Sequence, residues 1–202
     1  MTQWGRPLEG RKELEIAREL APSKVSIYLC LGHTYYAVRD FTNAIVWYRK
    51  SLELEPHETF ALEYMGGAYQ WSGDYSNGLK YLEQAAYVEG NDVALVKQMY
   101  DKMREALNAA GIPGFWQLQW KWTLTVTNGD FYWKGFIQMH LGHTNEAIYW
   151  LNRSYETREG VGWDNPLSGL LFDECWDGLH DDPRFKHLLD EIGFTKVMPN
   201  QK

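Results

Sequence analysis

The sequence has few of the features that mark disulfide-stabilised, membrane-spanning or nucleic-acid-binding proteins. Its 202 residues include two cysteines, Cys30 and Cys175, which are far apart and lie in apolar contexts, so we expect neither a disulfide framework nor a thiolate metal site. No stretch approaches the roughly 18 apolar residues of a membrane span, so we expect no membrane insertion by this chain. The net charge is -7 and no long basic run occurs. This argues against nucleic-acid binding through phosphate contacts.

The local motifs of the common catalytic classes are also missing. The sequence has no GxSxG, glycine-rich phosphate loop, HExxH or CxxC motif. An acidic cluster with His180 could in principle ligate a metal ion, but its last member, Asp182, precedes Pro183 and has the position of a helix N-cap. We therefore predict no catalytic residue, no metal site and no cofactor. The rest of the cluster, interpreted as a solvated loop, is Asp173, Glu174, Asp177 and Asp181.

Aromatic residues, by contrast, are abundant. The chain has 10 Trp and 13 Tyr, and 45% of its residues are hydrophobic, which is enough for a substantial core. So many rings cannot all lie in mid-core positions, and Trp and Tyr are suited to surfaces with one apolar and one wet side. We therefore expect aromatic side chains to be exposed or to line a groove.

One stretch, residues 25–56, shows two amphipathic helices joined by a short polar turn. Its spacing is large-x2-Leu-Gly-x2-Tyr, then Ala-x3-aromatic, then Pro, which resembles a tetratricopeptide repeat. Gly32 and Ala44 are small enough to let the two helices cross closely, and Pro56 ends the second helix. The residues that carry the pattern are Tyr28, Leu31, Gly32, Tyr35, Ala44, Tyr48, Ser51 and Pro56.

The same pattern recurs along the chain, with Gly66 and Tyr69 each 34 residues after Gly32 and Tyr35. One hairpin cannot bury its own apolar face, so repeats imply stacked neighbours. The resemblance implies an all-α fold, an α-solenoid built as a right-handed superhelix of helical hairpins with a C-terminal capping helix. Because the array begins with half a repeat, we expect the chain to be cut from a longer one. We predict a single domain over residues 1–202, made of a half repeat (8–22), repeats at 25–56 and 59–90, a diverged Trp-rich helical repeat (92–127), a repeat at 128–159 and a cap (160–202).

The C-terminal half carries a second resemblance. Its WDGLHDDPRFKHLLDEIGF segment is similar to the end of a bacterial group of tetratricopeptide-repeat regions. Those regions commonly follow the winged-helix domains of membrane-anchored activators, adenylate cyclase domains or serine/threonine kinase domains. In that group the repeat region is regarded as a protein-binding or sensory part. The resemblance therefore implies a regulatory module of a larger bacterial protein.

In such arrays the first helix of each hairpin lines the concave groove, which gives a set of partner-binding candidates. The positions at which some members hold a terminal carboxylate with basic side chains here carry Leu29, His33, Tyr64 and Gly67, so that clamp is absent. A groove rich in Tyr and Trp suits a peptide held by aromatic anchors. The candidates are His33, Tyr36, Tyr64, Trp71, Lys97, Arg104, Tyr132, Trp133 and His140.

Two functions remain open at this point. The first is a non-catalytic scaffold that binds a protein or peptide partner in the aromatic groove. The second is a sensor that binds a small-molecule signal near the Trp-rich segment 115–122. The sequence does not decide the partner, the compartment or the oligomeric state.

Overall fold

Helical hairpins follow one another along the chain, as the repeat pattern predicts. The computed structural model describes residues 7–126, 130–158, 166–171 and 173–194. These residues form an all-α repeat fold, which confirms the predicted fold class. The helices are α1 (Pro7–Leu20), α2 (Val25–Tyr36), α3 (Phe41–Leu54), α4 (Thr59–Trp71), α5 (Tyr75–Val88), α6 (Val93–Val126), α7 (Phe131–His140), α8 (Thr144–Glu156) and α9 (Pro183–Ile192), with 3-10 helices at Pro166–Leu171 and Glu174–Leu179. None of the helices in these ranges has both the length and the apolarity that crossing a bilayer requires.

The chain divides into two compact units, residues 1–104 and 105–202. In the first unit α1 packs on α2, α2 on α3, α3 on α4 and α4 on α5. In the second unit α7 pairs with α8, and α8 also contacts α9. Packing between sequence neighbours is the pattern expected when each hairpin buries its apolar face against the next hairpin.

Close approach between the helices of a pair depends on small residues. A side chain at Gly32 would overlap the ring of Tyr48 on α3, and Ala44 beside it is fully buried. A Cβ atom at Gly78 would lie 3.0 Å from the carbonyl oxygen of Gly66 and 2.6 Å from Cγ of Gln70. Gly78 therefore lets α5 approach the backbone of α4. The first repeat has alanine at the equivalent position, and the larger residue would not fit here.

The second helices of the first two hairpins begin with the same cap. Asp40 accepts a hydrogen bond from the backbone N–H of Asn43, and Asp74 accepts one from Asn77. Each asparagine side chain also donates to the capping carboxylate, at 2.7 Å and 2.6 Å respectively. Both capping residues recur at the repeat period of 34, so the helix start is repeated together with the core pattern.

The diverged third repeat is helical, as predicted, with a break inside α6. Ala110 and Gly111 leave the helical region, and Gly111 has a φ of 63°, a value that suits glycine. Pro113 then lies in the first turn of the second segment, where its missing N–H is harmless. Near the end of this segment Leu124 is 61% exposed.

The C-terminal cap is held by the motif that the second resemblance rests on. Trp176 is fully buried and stacks on the fully buried Phe185 of α9, with 6.4 Å between ring centroids. Asp182 caps α9 by accepting from the backbone N–H of Arg184, and Pro183 occupies the first turn as predicted. Residues 160–165, 172 and 195–202 of the predicted cap lie outside the described part of the chain.

The close approach at Gly78 predicts a change in stability whose sign opposes helix propensity. Propensity alone would make Gly78→Ala stabilising by about 1 kcal/mol. Because the new methyl group would press on the backbone of α4, we expect a loss of about 1–2 kcal/mol instead. The measurement is urea denaturation followed by circular dichroism, with Gln84→Ala on the exposed side of the same helix as the control. A stabilised Gly78→Ala variant would contradict this packing.

Candidate functional site

Helix α4 has two opposite faces with different roles. Its buried side carries Leu62, Met65 and Gly66, which pack against the neighbouring helices. At about 100° per residue, a spacing of four, three and four places a second set of residues together on the other side. We call this set the aromatic face of α4: it consists of Phe60, Tyr64, Gly67 and Trp71. Phe60 is 60% exposed and Tyr64 is 37% exposed, so the face presents apolar rings to solvent.

Rings from α2 extend the aromatic face. Tyr64 meets the imidazole of His33 edge-on at 4.2 Å and the ring of Tyr36 edge-on at 5.7 Å. Gly67 leaves room for this contact, because a Cβ atom there would lie 3.1 Å from Oη of Tyr36. Trp71 stacks parallel to Phe41, the first residue of α3, at 6.5 Å. Four predicted groove residues of the first unit are thus brought into one cluster.

The lowered pKa of His33 indicates that this residue has a structural role in the cluster. Burial lowers the pKa of His33 to about 4, and its Nε2 atom is shielded from water. The imidazole also packs edge-on against Tyr48, whose own pKa is raised, chiefly by burial. His33 is therefore neutral at pH 7 and contributes an aromatic surface rather than a charge.

The two basic groove candidates of the first unit are engaged with carboxylates of the chain itself. Lys97 pairs with Asp101 at 2.5 Å, one helical turn away. Arg104 pairs with Asp101 at 3.1 Å and with Glu83 on α5. Glu83 in turn accepts a hydrogen bond from Tyr87 at 2.9 Å. This network links α5 to the first part of α6. Its ion pairs neutralise the positive charges that would otherwise attract an anionic partner.

In the second unit the predicted residues have different surroundings. Tyr132 is 8% exposed and donates a hydrogen bond to Asp173 at 2.8 Å, so it holds the cap rather than lining a surface. His140 stacks parallel to Trp116 at 4.1 Å, and burial lowers the pKa of His140 to about 4. Trp133 stacks on Phe136 at 5.0 Å and lies 6.2 Å from Trp116. Trp116 itself is 3% exposed, which places the beginning of the Trp-rich segment in the core of the unit.

The acidic residues near the C-terminus have separate structural partners. Besides Asp173 and the cap Asp182, Asp181 pairs with Lys186 at 3.3 Å. In the described ranges no three His, Cys, Asp or Glu side chains gather in a way that could hold a metal ion. Cys30 and Cys175 are not joined in a disulfide bond.

Sequence reasoning missed Phe60, the most exposed ring of the aromatic face. It lies one residue after the start of α4 and precedes the repeat motif, which begins at Leu62. The signal that could have found it is the spacing of four to Tyr64 and of seven to Gly67 on one helix face. A search for apolar residues opposite the core stripe would have included it.

The shielded His33 predicts acid sensitivity. Its folded pKa of about 4 lies below the ordinary 6.5, so the unfolded chain binds the proton more tightly, and this contribution to stability is lost as the pH falls from about 6.5 towards 4. Between pH 7 and pH 5 the protonation of His33 should lower the free energy of unfolding by about 2 kcal/mol. We expect His33→Phe, which keeps a ring at this position, to remove most of that loss in urea denaturation at the two pH values. A variant with the slope of the unmodified chain would contradict a buried neutral imidazole, and His57→Phe at an exposed loop position is the control.

Comparison with known proteins supports the repeat assignment. Residues 25–58 match the family described as the tetratricopeptide repeat, and the match covers α2, α3 and the loop before α4. A search of curated proteins gives no match. Repeats of this family generally mediate protein–protein interaction. The geometry of the hairpin agrees with the match, since Gly32 meets the ring of Tyr48 where α2 and α3 cross and Ala44 is fully buried. Residues 25–58 are therefore a tetratricopeptide repeat.

Proposed function

We propose that this chain is a non-catalytic interaction scaffold that holds a peptide or protein segment on the aromatic face of α4. The observation that carries the proposal is the exposure of Phe60 and Tyr64 on the side of α4 opposite its buried stripe. Exposed aromatic side chains are enriched among the residues that dominate binding energy at protein interfaces. A tetratricopeptide repeat immediately precedes this helix, which places the face in a fold whose general role is protein binding.

The cluster is organised in a way that suits a partner. His33 and Tyr36 contact Tyr64 from α2 and limit its movement, so the ring would lose little rotamer freedom on binding. Phe60, one turn earlier, offers apolar area at the edge of the cluster. A supported ring beside an accessible one resembles the anchors that bind extended peptides or helices.

The small-molecule alternative has weaker support. It places a pocket at the Trp-rich segment 115–122, but Phe115 is 1% exposed and Trp116 is packed against His140, Trp133 and Phe136. The first two rings of the segment thus pack within the unit itself, which gives a ligand pocket there less support than the exposed rings of α4 give a partner site. The aromatic face of α4 therefore remains the preferred site.

The wider context belongs to the same proposal. The resemblance of the C-terminal half to the repeat regions of bacterial regulators suggests that the chain serves as the regulatory part of a larger protein. We also propose that residues 1–202 act together as one array of repeats. The partner would then be another part of the regulatory pathway, and this chain would contribute recognition without chemistry.

Substitutions on the aromatic face test the proposal. A phage-displayed library of random dodecapeptides is selected on the 202-residue chain, and the selected peptides are measured by fluorescence anisotropy. We expect the double substitution Phe60→Ala and Tyr64→Ala to weaken binding at least tenfold, as the loss of interface anchors usually does. Phe60→Ala alone should leave the unfolding midpoint unchanged, because this ring is mostly in solvent.

The matched control is Ile16→Ala on α1, since Ile16 is as exposed as Phe60 and lies in the same unit. It should leave the affinity unchanged. Equal losses from both variants, or none from the double variant, would refute the aromatic face as the binding site.

A further inference from the structure

A carboxylate borders the aromatic face of α4. Glu63 precedes Tyr64 in sequence and lies one helical turn before Gly67, so its side chain emerges at the margin of the exposed rings. It is half-buried, and among the described residues it makes neither an ion pair nor a hydrogen bond. A partly desolvated carboxylate without a partner is unfavourable, and an incoming cation would relieve that cost.

The charges nearest to Glu63 have the same sign. Partial burial, and then the negative charges of Glu89 and Glu58, raise the pKa of Glu63. Tyr100 on α6 responds to the same group: burial and then the carboxylates of Glu83, Glu89 and Glu63 raise its pKa to about 12, against the opposite effect of Arg104. Carboxylates from the loop before α4 and from the end of α5 thus act on Glu63 with the same sign of charge.

Two helices near the aromatic face, α6 and α2, offer little free positive charge to Glu63 among the described residues. On α6, Lys97 and Arg104 are paired with Asp101 and Glu83. On α2, His33 and Tyr36 reach the aromatic face, and burial keeps His33 neutral at pH 7. A cation brought by a partner would therefore meet a carboxylate that has no ion pair among the described residues.

We infer that the segment held on the aromatic face is basic, and that it places a Lys or Arg side chain at Glu63 while adjacent apolar side chains pack on Phe60 and Tyr64. This inference rests on the proposed function and adds the chemistry of the partner to it. The aliphatic stem of such a side chain can cover the rings while its charged head reaches the carboxylate. Tyr64 next to Glu63 can also interact favourably with the cation through its ring.

The same arrangement disfavours an acidic partner. A terminal carboxylate or an Asp/Glu-rich segment would approach Glu63, Glu58 and Glu89 without a basic group available to receive it. Like charges brought together at an interface act against binding and so select between partners. The surface thus distinguishes partners by the sign of their charge.

The test uses the peptides selected on the 202-residue chain. We expect the selected sequences to be enriched in Lys and Arg next to apolar residues, relative to the unselected library. Glu63→Gln should weaken their binding roughly fivefold, and higher salt should reduce the difference between the variant and the unmodified chain. Because this substitution removes a repulsive charge, it should not lower the unfolding midpoint. Glu53→Gln on α3 is the matched control and should leave the affinity unchanged.

A charge reversal makes the test sharper. Glu63→Lys should lose the basic peptides and gain affinity for synthetic copies in which each Lys or Arg is replaced by Glu. Neutral or acidic selected peptides, or basic ones that are indifferent to Glu63→Gln, would overturn the inference. If such peptides still lost affinity in the Phe60→Ala and Tyr64→Ala variant, the proposed function would stand without it. Peptides whose affinity changes neither in Glu63→Gln nor in the Phe60→Ala and Tyr64→Ala variant would refute both the proposed function and this inference.

Discussion

Close approach of paired helices is the constraint on which the rest of this structure depends. In the first hairpin Gly32 faces the ring of Tyr48, and in the second the backbones of Gly66 and Gly78 nearly touch. The hairpin of α7 and α8 repeats the arrangement, since a Cβ atom at Gly135 would lie 3.1 Å from the carbonyl oxygen of Ala147. A glycine on the first helix and a small or flat partner on the second set the distance at which each pair packs. Larger side chains there would separate the helices and open the core.

This constraint also decides which side of α4 is available for binding. With Leu62, Met65 and Gly66 facing the other helices, the positions half a turn away must point outwards. Phe60 and Tyr64 occupy those positions, where residues of a purely structural helix would usually be polar. The exposed rings therefore follow from the same helix geometry that buries the core. Glu63 lies between the two sides, which explains why it is half-buried and close to the exposed rings.

Much of the fold could be predicted from the sequence because the repeat pattern acts through local rules. The 34-residue period, the turn residues and the helix-ending Pro56 together predict hairpins at 25–56 and 59–90, and the structure has helices at Val25–Tyr36, Phe41–Leu54, Thr59–Trp71 and Tyr75–Val88. The cap at Asp182 was also foreseen, because an Asp followed by Pro is a strong local signal. The tight crossing at Gly78 was not, since helix propensity says nothing about a neighbouring backbone.

The candidate site was harder to predict, because it depends on which side chains pair across helices. Lys97 and Arg104 were predicted as basic groove residues, but Arg104 forms an ion pair with the distant Glu83. Tyr132 lies on the expected helix face, but the cap folds over it and buries its hydroxyl group against Asp173. Phe60 was overlooked because it falls outside the repeat motif. For Arg104 and Tyr132 the deciding partner is more than 20 residues away, so sequence spacing carries no signal for it. Phe60 did have a signal in its spacing to Tyr64 and Gly67, but the repeat motif does not include that position.

The most direct test of the aromatic face is photo-cross-linking from within it. The photoreactive residue p-benzoylphenylalanine would replace Phe60 in one variant and Tyr149, an aromatic residue of similar exposure on α8, in another. Each variant would be irradiated with a peptide selected on the unmodified chain, and the products would be identified by mass spectrometry. We predict an efficient cross-link from position 60 and none from position 149. A cross-link from position 149 with none from position 60 would contradict the account.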